Sequence, residues 1–326
     1  MMFLFVRRSS SDNNFDIIRI ALALIVLFYH AGVLSGHTYF SMFPGSFAVQ
    51  AFFIVSGYLI TRSYIVNNDI KKYVKSRLLR VCPLYFFVIL LSFLLGLLVS
   101  DLSFYNYVNN GGFDYLIYNL LFLNFLKPSL PGVFDESIIN GSLWTLKIEV
   151  LFYLTVPFLF GFLNRWFQRP KVILLIGITS IISYYLIGFF ISKYSLPPSL
   201  NNQLPSLMSY FMVGAMFNYV VLINRIRLLL VPSLLLLLLG FNPITQPILV
   251  GLVIYILAFN VPIFKISKRV GDISYGIYLW HFPVIQALIF YGFYDNVYFG
   301  VLLSLCLVLL LSYLSWHVIE KRVLNR

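Results

Sequence analysis

Five ionisable side chains lie within long apolar stretches of this chain: Asp16, Arg19, His30, Glu149 and His281. An ionisable group in hydrocarbon costs at least a few kcal/mol, so such residues mark function more often than they mark packing. His30 is the candidate general base, because an imidazole titrates near neutrality and has two distinct ring nitrogens. A carboxylate that accepts one imidazole N–H fixes the tautomer. The other nitrogen is then free to take a proton or to carry an acyl group, and Glu149 is the candidate for that partner. Arg19 precedes His30 by eleven residues, close to three helical turns. The two therefore leave a helix from nearly the same face, about 16 Å apart along its axis. Asp16 lies three residues before Arg19 and can pair with it. The competing reading for His30 and Glu149 is a hydrogen bond between helices and nothing more. His281 stands in Tyr275-Gly-Ile-Tyr-Leu-Trp-His-Phe-Pro283. Taken alone, those residues favour a kink formed by Trp280 and Pro283 around a satisfied imidazole.

A second group is basic. Arg77 and Arg80 form Arg-Leu-Leu-Arg at the edge of an apolar run. Spaced three apart on a helix, their guanidinium groups point the same way. Forked guanidinium groups bind phosphate in a bidentate manner. That phosphate can belong to a nucleotide-bearing ligand or to lipid head groups, and spacing alone favours lipid anchoring.

These residues need a bilayer to be positioned. Of 326 residues, 60% are hydrophobic and 10% charged, against roughly 45–50% and about 25% in soluble domains. Ten segments read as membrane helices: 15–35, 46–66, 82–100, 144–164, 171–191, 206–222, 227–240, 246–263, 272–292 and 298–318. Residues 114–126 are apolar but short for a span. With ten spans and the N-terminus inside, most of the 23 basic residues fall on the cytoplasmic side. A spanning helix at 114–126 would turn the Arg165–Lys171 cluster outward, so this stretch is expected to re-enter or to lie at the interface. The expected fold is therefore all-α, a polytopic integral membrane helical protein of about ten transmembrane helices with cytoplasmic N- and C-termini. It reads as one membrane-embedded domain over 1–326, with no fused extracytoplasmic domain and no cleavable signal peptide. In this topology His30 and Glu149 share a depth in the outer half of the membrane. The net charge of +12 sits in short loops, which argues against a nucleic-acid partner. Cys82 and Cys306 lie on different segments and suggest no disulfide framework.

Several stretches resemble blocks of the acyltransferase 3 family. Phe15-Asp-Ile-Ile-Arg19 through to Phe28-Tyr-His30 resembles the family's first helix, and Phe52-Phe-Ile-Val-Ser-Gly-Tyr-Leu-Ile-Thr61 its second. Tyr73-Val-Lys-Ser-Arg-Leu-Leu-Arg80 through to Pro83-Leu-Tyr85 resembles its Arg-x-x-Arg block. Ser142-Leu-Trp-Thr-Leu-Lys-Ile-Glu149 and Gly271-Asp-Ile-Ser-Tyr-Gly-Ile-Tyr-Leu-Trp-His281 resemble two later blocks. Ala48 stands where the family's second helix usually opens with glycine. The resemblance implies a multi-pass O-acetyltransferase of the bacterial inner membrane. It implies transfer of acetyl from cytoplasmic acetyl-CoA to a hydroxyl of a surface polysaccharide such as O-antigen, capsule or exopolysaccharide, the acceptor being lipid-linked or not. Acetyl-CoA is then a substrate, with no bound cofactor and no metal. The resemblance implies that His30, Glu149 and Arg19 are catalytic and that Arg77 and Arg80 bind the donor, which reverses the reading from spacing alone. Asp16, Ser142, Trp144, Tyr275 and His281 are supporting candidates. Composition alone also fits a transporter or flippase of a lipid-linked sugar.

Overall fold

In the computed structural model, residues 13–67, 69–163, 166–220, 240, 242–264 and 270–324 are described. Among them there are helices and no strands. The main helices are α1 (Phe15–Ser35), α2 (Gly45–Asn67), α3 (Ile70–Val99), α4 (Phe113–Leu120), α5 (Trp144–Leu163), α6 (Arg169–Tyr194), α7 (Leu204–Met216), α8 (Thr245–Phe259), α9 (Ser274–Phe290) and α10 (Val297–Ser315). Six stretches among the described residues are long and apolar enough to cross a membrane: Phe15–Ser35, Thr38–Asn67, Ile70–Val99, Gly141–Leu163, Arg169–Tyr194 and Val297–Leu324. α9, with 17 residues, is at the short end of the spanning range. α8 and α7, with 15 and 13, fall below it. The predicted segment 227–240 lies outside the described residues except for Gly240.

Two boundaries differ from the sequence reading for physical reasons. α3 begins at Ile70, twelve residues before the apolar run. Its basic first turns can continue the helix past the hydrocarbon, since long Lys and Arg side chains reach water from there. The stretch 114–126 forms a helix only over Phe113–Leu120. Its eight residues reach about 12 Å, too short to cross, and the chain then turns at Phe122, where φ is +61°.

The chain divides into two compact units. The first takes the chain up to Arg19, then Ser46–Val74 and Ile148–Lys265; the second takes Ile20–Gly45, Lys75–Lys147 and the chain from Ile266 onward. In the first unit α2 and α7 cross closely. A Cβ on Gly57 would collide with the Phe211 carbonyl, and one on Gly214 with the Ile54 carbonyl. Small residues on both sides let the two backbones touch, the usual means of close helix packing in lipid. Phe152 packs in the same core, 5.5 Å from Phe53 and 4.1 Å from Phe211 between ring centroids. Asn14 is buried just before α1. Its amide donates to the carbonyls of Leu257, Val261 and Pro262 at 3.1–3.2 Å, so it satisfies acceptors in the last turn of α8 and just beyond it.

In the second unit α9 packs along α10. Gly276 meets the Ser312 backbone, and Trp280 Nε1 donates to Ser315 Oγ at 2.8 Å. Tyr85 on α3 donates its hydroxyl to the Asn119 carbonyl at 2.7 Å and stacks on Phe122 with centroids 4.3 Å apart. These contacts hold α3, α4 and their loop together.

Candidate active site

In the second unit the structure brings His30 and His281 together. His30 Nδ1 lies 2.9 Å from His281 Nε2, with the two rings stacked 5.1 Å apart. His281 Nδ1 lies 3.2 Å from the carbonyl of Ile277, one turn back on α9. A carbonyl only accepts, so His281 Nδ1 carries the hydrogen. Its Nε2 is then the acceptor, and His30 Nδ1 is the donor. In this neutral chain His30 Nε2 keeps its lone pair. A second imidazole thus occupies the place where a carboxylate would fix the tautomer. His281 is fully buried and His30 partly exposed, so the free nitrogen belongs to the more accessible ring. Phe282 closes one side of His30, edge-on at 5.1 Å.

The backbone around His281 is shaped by Pro283. Proline has no N–H, so the carbonyl four residues earlier, that of Leu279, loses its helical partner. Asn140 Nδ2 donates to that carbonyl at 3.0 Å. The Oδ1 of Asn140 in turn accepts from Ser142 Oγ at 2.7 Å and from Ser142 N at 3.2 Å. Thr145 Oγ1 meets the Tyr278 hydroxyl at 2.6 Å. A Cβ on Gly141 would strike the Phe282 ring, so glycine there admits the ring that covers His30. Ser142 is buried, and Trp144 opens α5 beside it.

The arginines differ in their partners. Arg80 NH2 lies 2.6 Å from Asp272 Oδ2, and NH1 lies 3.3 Å from Glu320 Oε2. The guanidinium also sits over the rings of Tyr275 and Trp316, at 5.7 and 5.9 Å. Tyr275 donates its hydroxyl to the Val81 carbonyl at 2.9 Å. Arg77 Nε reaches Ser76 Oγ at 3.4 Å.

Glu149 belongs to the first unit, where its Oε1 accepts from the Tyr153 hydroxyl at 2.7 Å. Pro157 repeats the device seen at Pro283: it strips the Tyr153 carbonyl of its helical donor, and the Tyr73 hydroxyl supplies one at 3.0 Å. Asp16 is exposed at the start of α1, and Arg19 half-buried one turn on.

Sequence reasoning did not single out Asn140, Thr145, Tyr73 or Tyr153. Asn140 carried a local signal, since an Asn two residues before a Ser at the start of a helix is a capping pattern. Tyr153 carried another, being four residues after Glu149 on one helical face.

A multi-pass helical membrane protein with a hydrogen-bonded imidazole pair among its helices is the class that fold and site define. The family model described as "Acyltransferase domain" matches residues 12–317, and the chain belongs to this acyltransferase 3 family. Membership decides between the enzyme and transporter readings in favour of a membrane acyltransferase. The chain is 30% identical over 333 residues to an "O-acetyl transferase" of Shigella phage Sf6, covering 97% of each. It is 26% identical to "Nodulation protein 10" of Rhizobium leguminosarum bv. viciae, over 96% of this chain and 93% of that protein. It is 26% identical to a "Putative peptidoglycan O-acetyltransferase" of Bacillus subtilis, over 89% of this chain and 52% of that protein. No solved structure matches the chain.

Proposed function

We propose that this enzyme transfers an acetyl group from acetyl-CoA to a sugar hydroxyl of a cell-surface polysaccharide, with His30 Nε2 as the general base. The observation that carries the reading is the run of hydrogen bonds from His30 through His281 to the Ile277 carbonyl. It leaves a neutral imidazole nitrogen open on the partly exposed ring. The relatives named as O-acetyltransferases support acetyl as the group and a glycan as the acceptor.

The step balances simply. The sugar hydroxyl gives its proton to His30 Nε2 as its oxygen attacks the thioester carbonyl carbon. The C–S bond breaks, and the departing thiolate takes the proton back. His281 acts as a positioning residue. Arg19 and Glu149 are assigned to catalysis, and Asp16 to their support, by the family resemblance. The proposed setting is the bacterial inner membrane, with the donor on the cytoplasmic side. Arg77 is the proposed first contact for the donor phosphates. Arg80 already faces Asp272 and Glu320, so its part is to hold α3 against the segments before α9 and after α10 while sharing charge with the phosphate.

The test is an O-acetyl assay of surface polysaccharide from cells making wild type or His30→Ala at matched membrane levels. Loss of a general base should lower transfer by about 10²–10⁴-fold; undiminished transfer by His30→Ala would falsify the assignment. In purified protein, Arg77→Ala should weaken acetyl-CoA binding. Arg80→Ala should lower the unfolding temperature, because it removes the cation that pairs with both Asp272 and the nearly buried Glu320. Removing one partner of a buried ion pair costs about 3–5 kcal/mol.

A further inference from the structure

The first unit contains a polar cavity that the reaction described above does not use. Its volume is about 220 Å³, below the roughly 300–1,000 Å³ of pockets for drug-sized ligands. Gln50 from α2, Tyr184 from α6, Ser206 and Tyr210 from α7, and Gln246 from α8 line it, with Asn201 from the α6–α7 connection. No charged side chain is among the described lining residues.

Three observations point to a ligand. Ser206 is 3% exposed, and its Oγ has no hydrogen-bond partner. Asn201 Oδ1 is likewise buried without one. Buried polar atoms in folded proteins are nearly always satisfied, so orphans lining a cavity mark a place where something else supplies the bond. Gln246 Nε2 donates to Gln50 Oε1 at 3.1 Å, an amide pair that keeps further donor and acceptor positions.

The chemistry of the lining narrows the ligand. With no cation among the described lining residues, the phosphates of acetyl-CoA or of a lipid head group would be desolvated there without a counter-charge. Amides and hydroxyls match neighbouring sugar hydroxyls, which both donate and accept. Tyrosine rings offer an apolar face with a polar tip. The volume suits one sugar ring, not an extended chain. The cavity lies toward the end of α6 away from Arg169 and Lys171, the end that the charge distribution assigns to the outer face.

We infer that this cavity binds one neutral sugar residue, a recognition site for the carbohydrate acceptor. As an acceptor site it rests on the acetyl-transfer reading; as a sugar site it does not. The test is saturation-transfer NMR on the purified full chain in detergent, with no acetyl-CoA. The probes are glucose, galactose, rhamnose and N-acetylglucosamine, each added separately. At least one should receive saturation from wild type. Ser206→Val, which removes the orphan hydroxyl, and Gln246→Leu, which removes the amide, should each weaken binding about fivefold, the worth of one lost hydrogen bond. Using two variants guards against either one failing to fold. No signal with any of the four sugars, or signals unmoved by both substitutions in folded protein, would overturn the inference. Acetyl transfer measured on the same preparations separates the two claims. Cavity-dependent sugar binding by a wild type that transfers no acetyl would sink the acetyl-transfer reading and leave the sugar site standing.

Discussion

α5 and α9 each carry a proline in mid-helix, and each solves the resulting problem with a different side chain. In α5 the Tyr153 carbonyl freed by Pro157 takes a bond from the Tyr73 hydroxyl. In α9 the Leu279 carbonyl freed by Pro283 takes its bond from Asn140, whose oxygen also gathers both the amide and the hydroxyl of Ser142. A hydroxyl tie fixes one point. The amide tie also reaches the helix at one point, but its anchor is itself held by two bonds from Ser142. The stiffer tie belongs to the helix that carries His281, two residues from the carbonyl it secures. The lighter one belongs to the helix that carries Glu149, through the tyrosine that bonds it. Where a second imidazole must hold the ring of His30, small errors in helix position matter more than where a carboxylate accepts one hydroxyl.

The contrast can be broken by substitution. Asn140→Ala should give the largest effect. It orphans the Leu279 carbonyl and unties Ser142, costing about 2–4 kcal/mol in detergent unfolding. Acetyl transfer should fall at least about tenfold as His281 shifts, and equal stability would mean that the tie is idle. Next comes the cycle with Pro283→Ala, which returns a backbone N–H to the Leu279 carbonyl. In that background Asn140→Ala should lose about 1–2 kcal/mol of its penalty; strict additivity would break the link between proline and asparagine. Tyr73→Phe should cost less, about 1–2 kcal/mol, with a loss of transfer smaller than that of Asn140→Ala. A reversed order of activity losses would show that the α5 tie matters more. Tyr153→Phe should be smallest in stability, about 1 kcal/mol. A part for Glu149 in the chemistry predicts a loss of turnover well beyond what that small loss of stability accounts for.

Much of the fold is legible in the sequence because lipid imposes long apolar runs, and charge then sorts their ends. α1 is bounded where its apolar run is, from Phe15 to Ser35. The prolines are equally visible. What cures them is not: Tyr73 lies 80 residues from Tyr153, and Asn140 lies 139 residues from Leu279. Periodicity carries no information at such distances. The same holds for His30 and His281, separated by 251 positions. Sequence nominated both as costly residues, yet matching depth suggested only Glu149 as a partner. Depth along the membrane normal is readable from helix direction; neighbourhood within the membrane plane is not. Arg80 makes the same point. Its spacing from Arg77 suggested a shared phosphate, whereas its carboxylate partners come from 192 and 240 residues away.

The pairing of the two histidines also limits where a proton can travel. Beyond His281 the hydrogen-bonded path stops at the Ile277 carbonyl, a group that accepts a bond but does not relay a hydrogen. The path is a blind alley. A proton gained at His30 Nε2 must leave by the nitrogen through which it arrived, and in the proposed reaction the group waiting there is the newly released thiolate. Such a dead end couples the loss of the sugar's hydrogen to the departure of coenzyme A, and it does so in a layer of lipid that also separates two aqueous compartments. In the proposed reaction the hydrogen thus passes from sugar to thiolate without opening a conduit for protons across the membrane.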